Sequence, residues 1–356
     1  MKKIICTQNW WSVGENLGTI NQALTLINFL KSLFPNELYF ILNFLDNKFI
    51  IENCINIDEI SIIPDEIFIE NYDYSVENLR SNGYVSLIPN FHFYCKEDEF
   101  EILNLLKFEY DGIEMIGISN AVNLWIDHAH SHHLNRIRHF INVLNSHDFI
   151  PHNKGHNCYV DLNKNINEKI EFILNNNNIN KFDSVFFRWE GHRDGEIDES
   201  IIESYVEGLI PHLNFEKLYF LSSNYRIFYK IFEKYFPNCF YIDRGKYYIG
   251  YKEYKSNEPY VKFNNNKKEY ILEDDDIKQT GKIMSDYIAH IELSFICKSS
   301  KIIYITDSKR NNISLFIWLP ILKYSIPIEW FNFDLSKIIF RQYNFDNCIS
   351  EKTIDL

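Results

Sequence analysis

In the stretch Asp183 to Glu196, DSVFFRWEGHRDGE, an apolar run ends in Arg188, and the chain turns densely charged through Glu190, His192, Arg193 and Asp194. A guanidinium at a strand end can make paired hydrogen bonds to a pyrophosphate or a carboxylate. Glu190 or Asp194 could hold it in place or contact a sugar hydroxyl. The competing account is an ordinary surface ion-pair cluster, since charged loop tips are common. A second group is GENLGTINQ, Gly14 to Gln22. It has neither the GxGxxG spacing of a dinucleotide site nor the lysine of a P-loop. Gly14 and Gly18 would still let a ligand approach the backbone, beside groups such as Asn21, unless the stretch is a plain strand-to-helix turn. A third, ITDSKRNNIS, Ile305 to Ser314, offers Asp307, Ser308, Asn311, Asn312 and Ser314 at a helix start, where free N–H groups favour a phosphate; a simple polar cap competes with that reading. A fourth, DYIAHIELSFICKSS, Asp286 to Ser300, sets Asp286, Ala289, His290 and Leu293 on one helical face. A polar stripe of this kind ordinarily faces solvent.

The elements that must position these groups alternate. Lys3 to Thr7 reads as a strand. Ala23, Leu26, Ile27, Leu30 and Phe34 recur at helical spacing up to Pro35, and Leu38 to Phe44 reads as a second buried strand. Between Asn53 and Asp148 the pattern is less regular, with a strand expected at Tyr84 to Ile88 and a helix near Leu134 to Leu144. The polar stretch His147 to Asn165, with Pro151 and Gly155, reads as a crossing between domains. Helices are then expected at Glu168 to Leu174, Glu199 to Leu209, Tyr225 to Tyr235 and Ile283 to Cys297. Strands are expected at Ser184 to Trp189, Lys217 to Leu221, Cys239 to Ile242 and Lys301 to Ile305, and a helix or mixed segment at Ile313 to Leu322. Such alternation indicates an α/β fold of two Rossmann-like halves, residues 1–160 and 161–356. No short internal repeat is visible, which argues against a solenoid or propeller.

Composition narrows the function. The chain has 356 residues, 46% of them hydrophobic and 24% charged, enough to bury two cores of ordinary domain size. Its formal net charge of -13, with no basic patch to offset it, argues against a nucleic-acid partner. The seven cysteines are scattered, odd in number and without CxxC spacing, which suits reduced thiols in a cytoplasmic protein. The opening MKKIICTQNWW is too short an apolar run for a signal peptide, and no segment offers the roughly 20 uninterrupted apolar residues of a transmembrane helix. A soluble protein is expected.

Taken together, the four groups resemble the GT-B-fold fucosyltransferases: the protein O-fucosyltransferase and plant O-fucosyltransferase-like group and, more distantly, the bacterial α-1,2- and α-1,6-fucosyltransferases. FFRWEGHRD is similar to that family's HLRFEKD or HxRRGD motif, with Arg188 at the motif arginine, Glu190 at the glutamate and Asp194 near the aspartate. It departs at Phe186, which stands where the motif has histidine, and in two additional residues before Asp194. DYIAHIELSFI is similar to the later DYIVALESDVF segment, with Asp286 and Glu292 at matching positions. TDSKRNNIS resembles the TxxxGN stretch, and GENLGTINQ resembles the GEGFN or GGLGNQ loop. The resemblance implies a GT-B-like fold of two Rossmann-like domains facing a central cleft, the first holding the acceptor and the second the nucleotide sugar. It implies inverting, metal-independent transfer of a sugar, fucose from GDP-fucose, to a hydroxyl of a glycan or other acceptor. Arg188 would bind the β-phosphate, Glu15 would act as base, and Gly14, Gly18, Asn21, Glu190, Asp194, Asp286, Glu292, Ser308 and Asn312 would shape the site. No cofactor is implied beyond the donor substrate.

Rival readings stay open. LEDDDI, Leu272 to Ile277, could place Asp274 and Asp276 on a manganese ion, as in a GT-A glycosyltransferase, or be a solvated loop. WIDHAHSHHLNRIRHF, Trp125 to Phe140, brings together Asp127, His128, His130, His132 and His133, which could ligate zinc in a hydrolase. In the favoured reading that segment would border the acceptor cleft, with His128 or His130 in reserve as base. A non-catalytic protein that binds nucleotide sugars or glycans is a further alternative, since fold alone does not prove activity.

Overall fold

The computed structural model describes residues 2–7, 17, 36, 38–43, 53–56, 61–62, 106–110, 113–118, 161–189, 198–223, 225–245, 259–263, 266–271, 281–307, 314–317, 320, 323–334, 337–344 and 347–355. The chain divides into two compact units, Met1–Lys164 with Asn312–Trp318, and Asn165–Asn311 with Leu319–Leu356.

The first unit carries β1 (Lys2–Thr7), β2 (Leu38–Asn43), β3 (Ile55–Asn56), β4 (Ser61–Ile62), β5 (Leu106–Tyr110), β6 (Ile113–Ile118) and β7 (Asp161–Leu162). A five-stranded sheet runs β4-β2-β1-β6-β5. β1 pairs in parallel with β2 and β6, and β2 with β4, while β5 is an antiparallel edge. Strand order therefore reverses beside β1, the strand that precedes GENLGTINQ in sequence. β3 and β7 form a separate two-stranded pair. The expected strand at Tyr84 to Ile88 and helices near residues 23–34 and 134–144 lie outside the described residues.

The second unit opens with α1 (Lys164–Asn176), followed by β8 (Asp183–Arg188), α2 (Glu199–Leu209), β9 (Tyr219–Ser223), α3 (Arg226–Tyr235) and β10 (Cys239–Asp243). Then come β11 (Tyr260–Phe263), β12 (Asn266–Ile271), α4 (Gly281–Cys297), β13 (Ile302–Asp307), β14 (Ile328–Asp334), β15 (Lys337–Asn344) and β16 (Asn347–Asp355). A nine-stranded sheet runs β12-β11-β10-β9-β8-β13-β14-β15-β16. Its inner strands, β10 to β14 in that order, are parallel; β11, β12, β15 and β16 extend it as antiparallel edges. The α/β alternation read from the sequence is thus present, and its helices cover both faces of a buried sheet. Four of the nine strands, β8, β9, β10 and β13, were expected; β14, the C-terminal hairpin β15–β16 and the β11–β12 hairpin were not.

Burial on both sides explains why the inner strands read as near-continuous apolar runs. On one face Val185, Phe187, Leu221, Tyr241, Ile303, Ile305, Phe331 and Phe333 pack against Val206, Phe228, Tyr229 and Phe232 of α2 and α3. Phe187 stacks on Phe228 at 4.7 Å, and Tyr229 on Tyr241 at 4.3 Å. Each fully buried side chain of this size contributes roughly 1.5–3 kcal/mol of burial. Asp198 caps α2, its side chain accepting from Ser200 N at 2.9 Å.

The other face is covered by α4. Phe295 packs on Phe220 and Phe240, 4.7 and 5.5 Å away. α1 in turn covers α4: Ser294 Oγ donates to Asn167 Oδ1 at 3.0 Å, and Lys298 pairs with Glu171 at 2.8 Å. Asp286, Ala289, His290 and Leu293 are consequently all buried. The stripe expected to face solvent is interior, and His290 meets its hydrogen-bonding need within α4, at the carbonyl of Asp286.

Candidate functional site

Parallel order reverses once in the nine-stranded sheet. β8 leads to β9 and β10 on one side, and β13 leads to β14 on the other. In open α/β sheets a ligand crevice forms beyond the carboxyl ends of the strands at such a point. The two edges of this sheet differ accordingly. At the amino edge, Lys217 pairs with Asp183 at 2.8 Å and Lys301 with Glu329 at 2.7 Å, closing the strand starts. At the carboxyl edge, β8 ends in Arg188 and its register partner on β13 is Thr306.

Side chains alternate across a strand, which divides the carboxyl edge into two faces. Phe186, Tyr304 and Trp330 share the α4 face: Phe186 stacks on Tyr304 at 5.6 Å, and Trp330 Nε1 donates to Thr306 Oγ1 at 2.7 Å. Arg188, Thr306 and Asn332 occupy the same face by register. Arg188 is half-buried, and its Nε is buried without a hydrogen-bond partner among the described residues. A buried donor in that condition calls for an acceptor from water or ligand.

On the same face, Glu292 of α4 reaches Ser222 of β9, the strand beside β8. Arg244, immediately after β10, donates from Nε to Glu292 Oε1 at 2.9 Å and from Nη2 to Oε2 at 2.6 Å, and Ser222 Oγ donates to Oε2 at 3.1 Å. Glu292 is 1% exposed and Arg244 8%. The carboxylate is thus already committed to an arginine and a serine. Asp286, one helical turn and a half earlier, is buried, and its carbonyl accepts from His290 Nδ1 at 2.7 Å. A carbonyl only accepts, so Nδ1 carries a proton; burial pushes the pKa from 6.5 down to about 4, which keeps the ring neutral near pH 7.

On the opposite face lie Trp189, Asp307 and Phe333, joined by Tyr205 of α2. Tyr205 stacks on Phe333 at 4.3 Å and packs against Trp189 at 6.0 Å. Burial first, then the Asp307 and Asp334 carboxylates, hold its phenol protonated. Asp307 itself is 3% exposed. The polar residues Asp243 and Ser223 also lie on this face; Asp243 accepts from Gly245 N at 3.0 Å and from Arg226 Nη2 at 3.4 Å. Gly245 has φ of 55°, a conformation that favours glycine.

Of the residues expected to form the site, Arg188 ends β8 and Glu292 is bonded to Ser222 of the adjoining strand β9. Gly14, Glu15, Gly18, Asn21, Glu190, Asp194, Ser308 and Asn312 lie outside the described residues. So do Asp274, Asp276 and the Asp127, His128, His130, His132, His133 cluster. Within GENLGTINQ only Leu17 is described, a buried helical residue. Ser314 Oγ accepts from Phe316 N at 3.4 Å, at the start of a short 3-10 helix, Leu315–Ile317. Among the described residues no group of three or more His, Cys, Asp or Glu side chains could hold a metal ion, and no helix is long and apolar enough to cross a membrane. Cys54, Cys239 and Cys297 are free thiols.

Among the solved structures that the chain resembles are fucosyltransferases. The fucosyltransferase NodZ from Bradyrhizobium aligns at TM-score 0.46 and 10% identity, over 100% of this chain and 99% of that one. NodZ alpha-1,6-fucosyltransferase soaked with GDP-fucose aligns at TM-score 0.46 and 12% identity, with the same coverage. A variant of Arabidopsis thaliana FUT1 in complex with GDP aligns at TM-score 0.43 and 8% identity, over 93% of this chain and 70% of that one. No protein-family model matches the chain, and no curated protein matches it in sequence.

Proposed function

We propose that the chain is an inverting glycosyltransferase that moves fucose from GDP-fucose to a hydroxyl of a glycan or other acceptor without a metal ion. The observation that carries this reading is Arg188: a half-buried guanidinium at the carboxyl end of β8, beside the reversal of strand order, with a buried Nε that has no partner among the described residues. The motif resemblance around FFRWEGHRD, DYIAHIELSFI and TDSKRNNIS supports it from the sequence side.

In this reading the bond between the sugar's anomeric carbon and the β-phosphate oxygen breaks as the acceptor oxygen bonds to the opposite side of that carbon. Arg188 stabilises the charge that accumulates on the departing GDP, the role of a preorganised cation. Glu15 takes the acceptor's proton. Residues 161–356 hold the donor and residues 1–160 the acceptor, with Glu190, Asp194, Ser308 and Asn312 completing the nucleotide site.

The test is calorimetry and thermal shift with GDP, UDP, CMP and their sugar conjugates, each with manganese or EDTA. Selective, EDTA-insensitive binding of GDP and GDP-fucose is expected. Manganese-dependent binding of UDP would instead assign the site to Asp274 and Asp276. Absence of any nucleotide response would overturn the reading.

A further inference from the structure

Resting on that reading, we infer that Arg244, held by Glu292, is a second diphosphate-binding cation beside Arg188. The register places the two arginines in one row. Phe187 is paired with Ser223, and Tyr241 with Leu221, so Asp243 stands level with Ser223 and Phe187. Arg188 and Arg244 each follow by one residue, on the two strands that flank β9. Neighbouring strands lie about 4.8 Å apart, which sets their Cα atoms about 10 Å from each other. Two long side chains across that gap bracket a space the size of a diphosphate.

Both also serve the same face. Arg188 follows Phe186 on the α4 side, and Arg244 meets Glu292 of α4, whose carboxylate is shared with Ser222 on the strand between them. The pair's geometry is a fork on a fork, which fixes the guanidinium plane. A buried ion pair is poor as a device for stability, because desolvating both charges offsets most of their attraction. Holding an arginine rigid at the mouth of an anion site is a use that this cost suits. Glu292 is then a positioning residue: it acts on the ligand through Arg244.

The arrangement also sets a charge. Arg188, Arg244 and Glu292 together carry one net positive charge on the α4 face, while Asp243 and Asp307 end their strands on the opposite face.

The experiment is calorimetry of GDP against GMP on the full chain, comparing wild type, Arg188→Gln, and the double variant Arg244→Gln/Glu292→Gln. The double variant removes both charges together, so no buried charge is stranded. The wild type is expected to prefer GDP, and the double variant to lose about tenfold in GDP affinity, the scale of a charged hydrogen bond, with GMP affinity retained. Should the double variant unfold, Arg244→Lys keeps the charge and removes the fork, and its expected loss is smaller but again confined to GDP. An unchanged GDP-to-GMP ratio in these variants, with the ratio lowered in Arg188→Gln, overturns the role of Arg244 alone. A wild type that binds no nucleoside diphosphate overturns the reading on which it rests as well.

Discussion

Arg244 and Glu292 form a two-pronged ion pair, 2.9 and 2.6 Å long, between the end of a strand and the middle of a buried helix, 48 residues apart in sequence. Both partners are almost fully enclosed. Removing one leaves the other's charge stranded in a poorly solvating interior, a cost of about 3–5 kcal/mol. Glu292→Ala is therefore expected to lower the unfolding free energy by that amount in urea titration. Arg244→Met/Glu292→Leu, which replaces both by apolar groups, is expected to recover most of it. Equal losses in the single and double variants would show that packing rather than charge dominates the site.

Arg188 stands in contrast, since its Nε has no protein partner among the described residues. Its replacement should cost ligand affinity more than stability. Arg188→Ala is expected to weaken GDP binding by about 1.5–3 kcal/mol, the range for hydrogen bonds to charged groups. Arg188→Lys should fall between, because an ammonium supplies charge without the planar fork. Calorimetry checks both, and an unchanged affinity in Arg188→Ala would remove this residue from the nucleotide site.

Much of the second unit was legible because its parallel strands are buried on both faces. DSVFFR, YFLSS and IIYITD stand out as apolar runs whose ends then locate Arg188 and Asp307. Arg244 carries the same signal in sequence: the apolar run Cys239 to Ile242 is followed by Asp-Arg-Gly, much as DSVFFR ends in Arg188. β14, IEWFNFD, was hidden because its Glu and Asn break an aromatic run that is in fact buried, with Asn332 enclosed at 3% exposure. α4 misled for a different reason. Helical periodicity reports which residues share a face; it does not report that Glu292 is neutralised by a residue on another element or that the polar stripe is enclosed.

The aromatic core offers a test of how the helices hold the sheet. Phe228 of α3 is fully buried and stacks on Phe187, two residues of ring geometry 6° from parallel. Phe228→Ala would leave a cavity between α3 and β8, with an expected loss of about 3–5 kcal/mol. Chemical denaturation measures it. A loss below about 1 kcal/mol would mean that the neighbouring rings close the gap, as loosely packed sites do.

The last expectation concerns pH. His290 is 2% exposed, and desolvation lowers its pKa from 6.5 to about 4, against a smaller opposing contribution from the Asp286 carbonyl. In the unfolded chain the ring protonates as pH falls through about 6.5, while the folded chain resists until about 4. Unfolded molecules bind more protons across that window, so stability declines as pH drops through it. At about 1.4 kcal/mol per pKa unit the loss is roughly 3 kcal/mol, complete near pH 4. His290→Gln retains a donor for the Asp286 carbonyl and cannot titrate. Urea titrations between pH 7 and pH 4 should therefore show a shallower decline in the variant than in the wild type. Parallel declines would place the acid sensitivity in other groups and show that the protonated ring finds solvent in the folded protein.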